Sequence, residues 1–353
     1  MKREFTLEDT SIAKGFAILC LLFYHAFENQ EMLVRLSVIC DPIPQNIFLL
    51  ASSFGNICVA VFVSLTAYGI TLDCMKKKTL KASMDKSMVR LVRLVQKFLY
   101  CYLFIIVIFS DKFNLTGLYG EGKQGFLYGM IDALGFAELF DTPMLNPTWW
   151  YMELAIILIV FIPIIAYAYK QIGNGLVIIG ILLPLIVSLG DSVDRYLFIA
   201  VLGIYVAYNS LIKKALNYNI NPYIKWIGGF LILIVCVLVR QNYVVYNTFT
   251  YIIDGFIAWY IIYFSVSILG SIRILRVPLA YIGRYSMNIY LIHTFIYMMI
   301  YQPQLYSLKY AGIIYLVLVI SSLLLAIAMD NLIRIVERIV IRFIKKIKHR
   351  YCN

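Results

Sequence analysis

The chain has 353 residues, of which 62% are hydrophobic and only 14% are charged, and its mean hydropathy is +0.83. Soluble domains carry about 25% charged residues, so this composition excludes an ordinary soluble protein. The formal net charge is +12, but the basic residues are dispersed among short loops between apolar runs, which argues against nucleic-acid binding.

Apolar runs long enough to cross a bilayer recur along the whole chain and predict an all-α, polytopic membrane protein with about ten transmembrane helices. The weakest are the fifth and sixth, because charged residues crowd their junction. We expect a membrane domain over 1–333, followed by a basic amphipathic tail over 334–353 that lies on the inner leaflet. The expected spans are 11–28, 47–72, 88–109, 148–169, 175–190, 195–210, 223–239, 249–270, 277–301 and 311–333.

Charge placement predicts the orientation of these spans. If the N-terminus is cytoplasmic, most of the lysines and arginines fall in cytoplasmic segments, including the lysine-rich loop 76–86 and the tail. An even number of spans then places the C-terminus in the cytoplasm as well. The expected location is the plasma membrane, in which the chain is multi-pass and contacts membrane lipids.

The first apolar run contains two ionisable residues, Lys14 and His25. Eleven helical steps of about 100° return to nearly the same azimuth, so both side chains project from one face, about 16 Å apart along the axis. An ionisable residue within a membrane-spanning helix is a functional-site hypothesis by default. From its position alone, His25 is either a hydrogen-bonded core histidine or a catalytic group.

The third span begins with a basic stripe. Lys86, Arg90, Arg93 and Lys97 follow one another at i, i+4, i+7 and i+11, so they share one helix face. Two interpretations remain open. The side chains reach lipid phosphates at the surface, or the two guanidinium groups clamp a diphosphate that enters from the cytoplasm, with Lys14 as a third cation.

Together these features resemble the acyltransferase-3 family of integral membrane acyltransferases. Lys14 to His25 resembles the first-span signature of that family, which is a basic residue, ten intervening residues and then a histidine. The second-span resemblance departs from the pattern, because Thr66 and Ala67 stand where Ser-Gly is common. Further segments similar to family motifs are 61–70, 87–94, 147–152 and 283–293.

The resemblance implies transfer of an acyl group, commonly acetyl from acetyl-CoA, to a hydroxyl on a carbohydrate. It implies that His25 is the general base, for which an imidazole suits a neutral pH. The acceptor would be a surface glycan or a lipid-linked sugar. Acyl-CoA is a co-substrate, and we expect no bound cofactor. Its phosphates would be held by Arg90 and Arg93, with Lys14 and the weaker candidate Arg284.

Several polar residues have more than one interpretation. Glu153, near the start of the fourth span, either acts in catalysis by orienting His25, pairs with a cation, or reaches the interface. Ser286, Tyr290 and His293 share a face of the ninth span at i, i+4 and i+7, and either line the substrate cavity or hold helices together. The outer segment 110–147 is either a lid over the acceptor or an inert excursion.

The remaining expectations concern alternatives and partners. A transporter or flippase of a lipid-linked sugar is the main alternative function, and a polysaccharide polymerase is the second. The seven cysteines are expected to be free thiols, and the three histidines are too scattered to suggest a metal site. The sequence leaves open whether the chain forms a homo-oligomer.

Overall fold

The computed structural model describes residues 3–243 and 249–351. These residues form α-helices joined by short turns and contain no β-strand, so the all-α prediction is confirmed for the described chain. The helices are α1 Leu7–Phe27, α2 Gln30–Arg35, α3 Gln45–Phe54, α4 Cys58–Met75, α5 Leu80–Ile108, α6 Leu115–Tyr119, α7 Gly122–Ala133, α8 Tyr151–Ile172, α9 Gly175–Ile186, α10 Asp191–Tyr208, α11 Leu211–Leu216, α12 Pro222–Tyr243, α13 Thr250–Ser267, α14 Arg273–Arg284, α15 Ser286–Thr294, α16 Gln302–Tyr306 and α17 Ala311–Tyr351.

Seven stretches of the described chain are helical, long and apolar enough to cross a membrane, which confirms a multi-pass membrane protein. The other three predicted spans coincide with the 12-residue helix α9, with α10, which has 18 residues but three charged ones near its start, and with the divided pair α14 and α15. The count of ten, and the cytoplasmic placement of both termini, therefore stay predictions. The seven stretches are Leu7–Phe27, Gln45–Met75, Leu80–Ile108, Pro147–Ile172, Pro222–Gln241, Thr250–Ser271 and Ala311–Ile339.

The ninth predicted span is not the continuous helix expected over 277–301. The Tyr285 amide bonds to the carbonyl of Ile282, three residues back instead of four, and this interrupts the α-helical ladder between α14 and α15. A π-helical turn, Phe295–Met299, then follows α15. The boundary expected at 333 falls within α17, which continues without a break to Tyr351.

Helix α1 lies at the centre of the bundle and contacts α3, α4, α13, α14, α15 and α17. Its approach to α14 is unusually close. A Cβ atom on Gly15 would lie 1.9 Å from the carbonyl oxygen of Leu279, and one on Gly283 would lie 1.8 Å from that of Ser11. Only glycine fits at either position, because the two backbones are in direct contact.

Helix α12 is largely exposed but is tied to its neighbours by a buried ion pair. The Arg240 guanidinium donates to both carboxylate oxygens of Asp254 on α13, at 2.8 and 3.2 Å, and to the carbonyl of Ser53 on α3. Both side chains are at most 4% exposed. Removing one partner would leave an uncompensated buried charge, so the pair fixes α12 in place.

Candidate functional site

A cavity of about 490 Å³ lies between α1, α4, α5, α8, α10 and α15. This volume is in the range of small-molecule sites. Its wall combines apolar side chains, such as Leu21, Val59, Phe62 and Leu94, with a larger polar and aromatic set. That set is Lys14, Tyr24, His25, Asn56, Cys58, Thr66, Thr148, Trp150, Tyr151, Arg195, Tyr196, Ser286 and Tyr290.

Helix α1 carries Lys14 and His25 on the wall of this one cavity, as their spacing on one helix face requires. We call the two ends of the cavity the Lys14 end and the His25 end. Lys14 makes no hydrogen bond or ion pair with any residue of the described ranges, and Arg90 and Lys97 are within electrostatic range of its ammonium group. An anionic ligand bound at the Lys14 end would stabilise the ammonium form of Lys14, because no carboxylate of the described residues does so and two further basic side chains lie nearby.

The imidazole of His25 is surrounded by rings and one carboxylate. Its centroid lies 5.2 Å from that of His293 and 5.9 Å from that of Tyr297. The Nδ1 atom lies 3.6 Å from Oε1 of Glu28, one helical turn further along. Glu28 is a candidate that sequence reasoning missed, although its i+3 spacing from His25 was the available signal. A carboxylate at this position can orient the ring and stabilise its protonated form.

The polar residues of α15 divide between the cavity wall and the helix packing. Ser286 and Tyr290 line the cavity, whereas His293 is fully buried behind it. The Tyr290 hydroxyl donates to the carbonyl of Thr148, and the Nδ1 atom of His293 lies 2.7 Å from the carbonyl of Tyr290. Since a carbonyl only accepts, Nδ1 of His293 carries the proton, and its Nε2 atom has no partner in the described chain.

The Trp-rich turn before α8 fixes α15 from the other side. The Trp149 indole donates to the carbonyl of Leu291 at 3.0 Å, and the hydroxyls of Thr148 and Thr294 lie 2.9 Å apart. This turn also contributes Thr148 and Trp150 to the cavity wall. Two of the segments that resemble family motifs, 147–152 and 283–293, are therefore packed against each other beside the cavity.

Glu153 does not lie on the cavity wall. Tyr151, Ala155 and Ile159 form the row of α8 that faces the cavity at i, i+4 and i+8. Glu153 is two residues, about 200°, from Tyr151 on the same helix and so points to a different side. The charged group within electrostatic range of Glu153 is Glu138, and the described structure provides no contact between Glu153 and His25.

The basic stripe of α5 pairs with carboxylates of neighbouring helices. Asp73 on α4 accepts from both Lys86 and Arg90. Lys97 lies 3.9 Å from Asp330 on α17. Because these carboxylates flank α5, the stripe is partly neutralised by the protein itself. The remaining two candidate phosphate ligands, Arg93 and Arg284, are exposed and are not on the cavity wall.

The cavity wall also contains Asn56, Arg195 and Tyr196, which the sequence did not single out. We assign them to the His25 end because Asn56 adjoins Tyr24, and Arg195 and Tyr196 lie within electrostatic range of nearby Cys58. The Tyr24 hydroxyl interacts with the side chains of both Asn56 and Glu28. Sequence reasoning noted Arg195 only among the charged residues at the junction of the fifth and sixth predicted spans. Nothing in the local pattern shows that the start of α10 faces the cavity.

The segment 110–147 contains the short helices α6 and α7 and is packed by buried hydrogen bonds, so it is not an open loop. Asp132 at the end of α7 is buried and accepts from the Tyr119 hydroxyl at 2.6 Å and from the Leu145 amide at 2.7 Å, both on its Oδ2 atom. Burial raises the pKa of Asp132 to about 6. None of the described residues 110–147 is on the cavity wall, so the choice between lid and excursion stays open.

The structure describes six of the seven cysteines and the groups that could in principle bind a metal ion. Six cysteines are free thiols, and Cys352 lies outside the described residues. The described ranges contain no group of three histidine, cysteine or acidic side chains that could hold a metal ion.

Comparison with known sequences gives one match. The sequence model of a family described as an acyltransferase domain matches residues 10–330, which include every residue of the cavity wall. No curated protein and no solved structure matches the chain significantly.

Proposed function

The chain belongs to the acyltransferase-3 family of membrane acyltransferases, and on this premise we propose that it is an O-acyltransferase of the plasma membrane. It moves an acyl group, with acetyl the expected one, from cytoplasmic acyl-CoA to a hydroxyl of a cell-surface or lipid-linked glycan. His25 is the general base. Family membership favours this function over the transporter or flippase, since the family is one of acyl transfer.

One observation carries the proposal: a single cavity joins Lys14, a cation without a carboxylate partner, to His25. In the proposed complex, the phosphates of CoA bind at the Lys14 end, where Arg90, Arg93 and Arg284 add positive charge. The pantetheine arm extends along the apolar part of the wall. The thioester carbonyl then reaches the His25 end, where the acceptor hydroxyl is held.

The reaction needs a base that removes a proton from the acceptor hydroxyl and an acid that delivers a proton to the departing CoA sulfur. As the acceptor oxygen attacks the thioester carbonyl, His25 removes the hydroxyl proton. The carbon–oxygen bond forms, the carbon–sulfur bond breaks, and the departing CoA sulfur takes the proton from His25. Glu28, 3.6 Å from the His25 Nδ1 atom, stabilises the imidazolium that exists between these two proton transfers.

The test is CoA release from labelled acetyl-CoA by purified protein in nanodiscs, with and without a mixture of bacterial surface glycans. The wild-type protein should release CoA and label the glycan, and His25→Ala should do neither. The matched control is His349→Ala, which removes a histidine of the basic tail and should retain both activities. A wild-type protein that neither binds nor cleaves acetyl-CoA would contradict the proposal.

A further inference from the structure

We infer that Arg195 forms an anion-binding subsite at the His25 end of the cavity, and that the acceptor is therefore an acidic glycan. This inference rests on the proposed function and adds the substrate class to it. Arg195 is on the cavity wall together with His25, whereas its neighbours on α10 beyond Tyr196 pack into the bundle.

Arg195 is an exposed residue at the edge of the cavity, and its guanidinium forms no ion pair with the described protein. Its Cζ atom lies 5.5 Å from the centre of the Tyr196 ring, which holds the group in place by a cation–π contact. Asp194 is occupied elsewhere, because its carboxylate accepts from the Ser188 hydroxyl and the Leu189 amide. Neither Asp194 nor Asp191 forms an ion pair with Arg195.

Three other cations of the bundle have carboxylate partners. Arg240 pairs with Asp254, Arg90 with Asp73, and Lys97 with Asp330. Lys14 and Arg195 are the two lysine or arginine residues among the described residues of the cavity wall, and neither pairs with a carboxylate. Since the two lie on one cavity that also holds His25, the wall offers an anion site for the donor and a second one for the acceptor.

The surfaces near Arg195 suit a sugar. The Trp150 and Tyr196 rings stack with their centroids 6.3 Å apart, and Tyr151 packs edge-on against Tyr290 at 5.6 Å. These residues provide flat apolar faces together with hydroxyl and indole groups. A neutral glycan that covered this end would bury an unpaired guanidinium, which is costly, whereas a glycan carboxylate or phosphate would satisfy it with two parallel hydrogen bonds.

The experiment measures binding by protein in nanodiscs of three probes that share one glucan backbone. They are neutral cello-oligosaccharides, their C6-carboxylated counterparts and their phosphorylated counterparts. Wild-type protein should bind one or both acidic probes more tightly than the neutral probe, and the carboxylated and phosphorylated arms identify the anion. Arg195→Gln should lower acidic-probe affinity by about 10- to 100-fold and leave the neutral probe unchanged. Arg195→Lys should retain part of the preference, because a point charge replaces the fork.

Nonspecific attraction to a chain of net charge +12 is controlled by Arg35→Gln. Arg35 is an exposed arginine of α2, expected on the same side of the membrane and absent from the cavity wall. This variant should bind all three probes like the wild type. If Arg195→Gln and Arg35→Gln behave alike, or if the wild type shows no preference for acidic probes, the inference is wrong and Arg195 only contacts lipid headgroups or solvent.

The outcome is separated from that of the proposed function by the release of CoA without acceptor. Wild-type protein should hydrolyse acetyl-CoA slowly in the absence of any glycan, because the proposed donor site and His25 do not need the acceptor. Hydrolysis by the wild type combined with equal binding of all probes would overturn the acidic acceptor alone. Loss of hydrolysis in the wild type would overturn the proposed function and this inference with it.

Discussion

The imidazole rings of His25 and His293 lie 5.2 Å apart, on helices α1 and α15, and only the first faces the cavity. The Nδ1 proton of His293 is held by the Tyr290 carbonyl at 2.7 Å. Two imidazolium ions at this separation would repel each other strongly in a buried site. The arrangement is consistent with the proposal that His25 transfers the proton and that His293 has a supporting role.

The first prediction follows from this assignment. His25→Ala should fold and insert into the membrane but lower the rate of acyl transfer by about 10²- to 10⁴-fold, the range for loss of a general base. The measurement is transfer of label from acetyl-CoA to glycan, with size-exclusion profiles as a check on folding. Near-wild-type transfer by a well-folded variant would show that another group is the base.

The second prediction concerns Glu28. Glu28→Gln should lower kcat by about tenfold or more with little change in the KM for acetyl-CoA, because the carboxylate acts on the His25 ring and not on the donor. The matched control is Glu31→Gln, an exposed acid in the first turn of α2. Equal kcat values in the two variants would remove Glu28 from the site.

The third prediction uses the contact between Arg90 and Asp73. If Arg90 binds a CoA phosphate, Arg90→Ala should weaken acetyl-CoA binding by about 10- to 100-fold, and Lys replacement should rescue only part of it. Asp73→Asn should leave the affinity unchanged or increased, because it frees the guanidinium for phosphate. Isothermal titration of acetyl-CoA measures both effects.

The same titration tests Arg93, whose exposed side chain has no partner among the described residues, and Arg273→Ala serves as a control at an exposed arginine away from the cavity wall. Unchanged affinity in Arg90→Ala and in Arg93→Ala would indicate that the stripe serves ion pairing and lipid contact only.

The fourth prediction concerns sidedness. In oriented vesicles, labelled acetyl-CoA supplied on the side of the Lys76–Lys81 loop should yield acylated glycan on the opposite side. The charged nucleotide never needs to cross, which avoids the cost of moving phosphates through hydrocarbon. If transfer occurs only when donor and acceptor share one side, the route through the membrane is wrong, although acyl transfer itself stands.

The fifth prediction concerns pH and Asp132. Burial raises the pKa of this carboxyl to about 6, above its ordinary value of 3.8, so the native state retains a proton that the unfolded chain loses between these values. The contribution of Asp132 to the free energy of unfolding therefore falls as pH rises from about 4 to about 6, by about 3 kcal/mol at most. It stays constant above that window.

Asp132→Asn should remove this dependence, since both donors converge on one oxygen that an amide can replace. In thermal unfolding between pH 4 and pH 7, the stability of the variant relative to the wild type should increase up to about pH 6 and stay constant above it. Asp111→Asn, at an exposed carboxylate, should follow the wild type throughout. A constant difference between Asp132→Asn and wild type across the window would contradict the prediction.

Helical periodicity correctly predicted which residues share a face where the helix is uninterrupted. Lys14 and His25 reach the same cavity because α1 runs unbroken from Leu7 to Phe27. The same reasoning wrongly predicted a continuous helix over 277–301. A three-residue backbone hydrogen bond at Tyr285 divides this helix, and no local sequence signal marks the division. The family was predicted correctly, because several motifs in order are specific even when each one is weak.

The sequence did not predict which face of each helix packs against which neighbouring helix. Glu153 lies beside the row of α8 that faces the cavity, and only the packing of that helix decides this. Arg90 meets Asp73 of another helix, a contact that spacing along α5 does not reveal. Arg195 is on the cavity wall because of the orientation of α10. Packing against α4, including the contact of Gly203 with Ala67, fixes that orientation.

The contact between Gly15 and Gly283 restricts how the protein moves during turnover. Because the backbones of α1 and α14 touch, the two helices cannot slide along each other without collision of backbone atoms. The level of Lys14 relative to α14 is therefore the same in every state in which this contact persists. Displacements that accompany donor entry and product release are therefore expected in helices outside this central pair, such as the largely exposed α5, whose Leu94 is on the cavity wall.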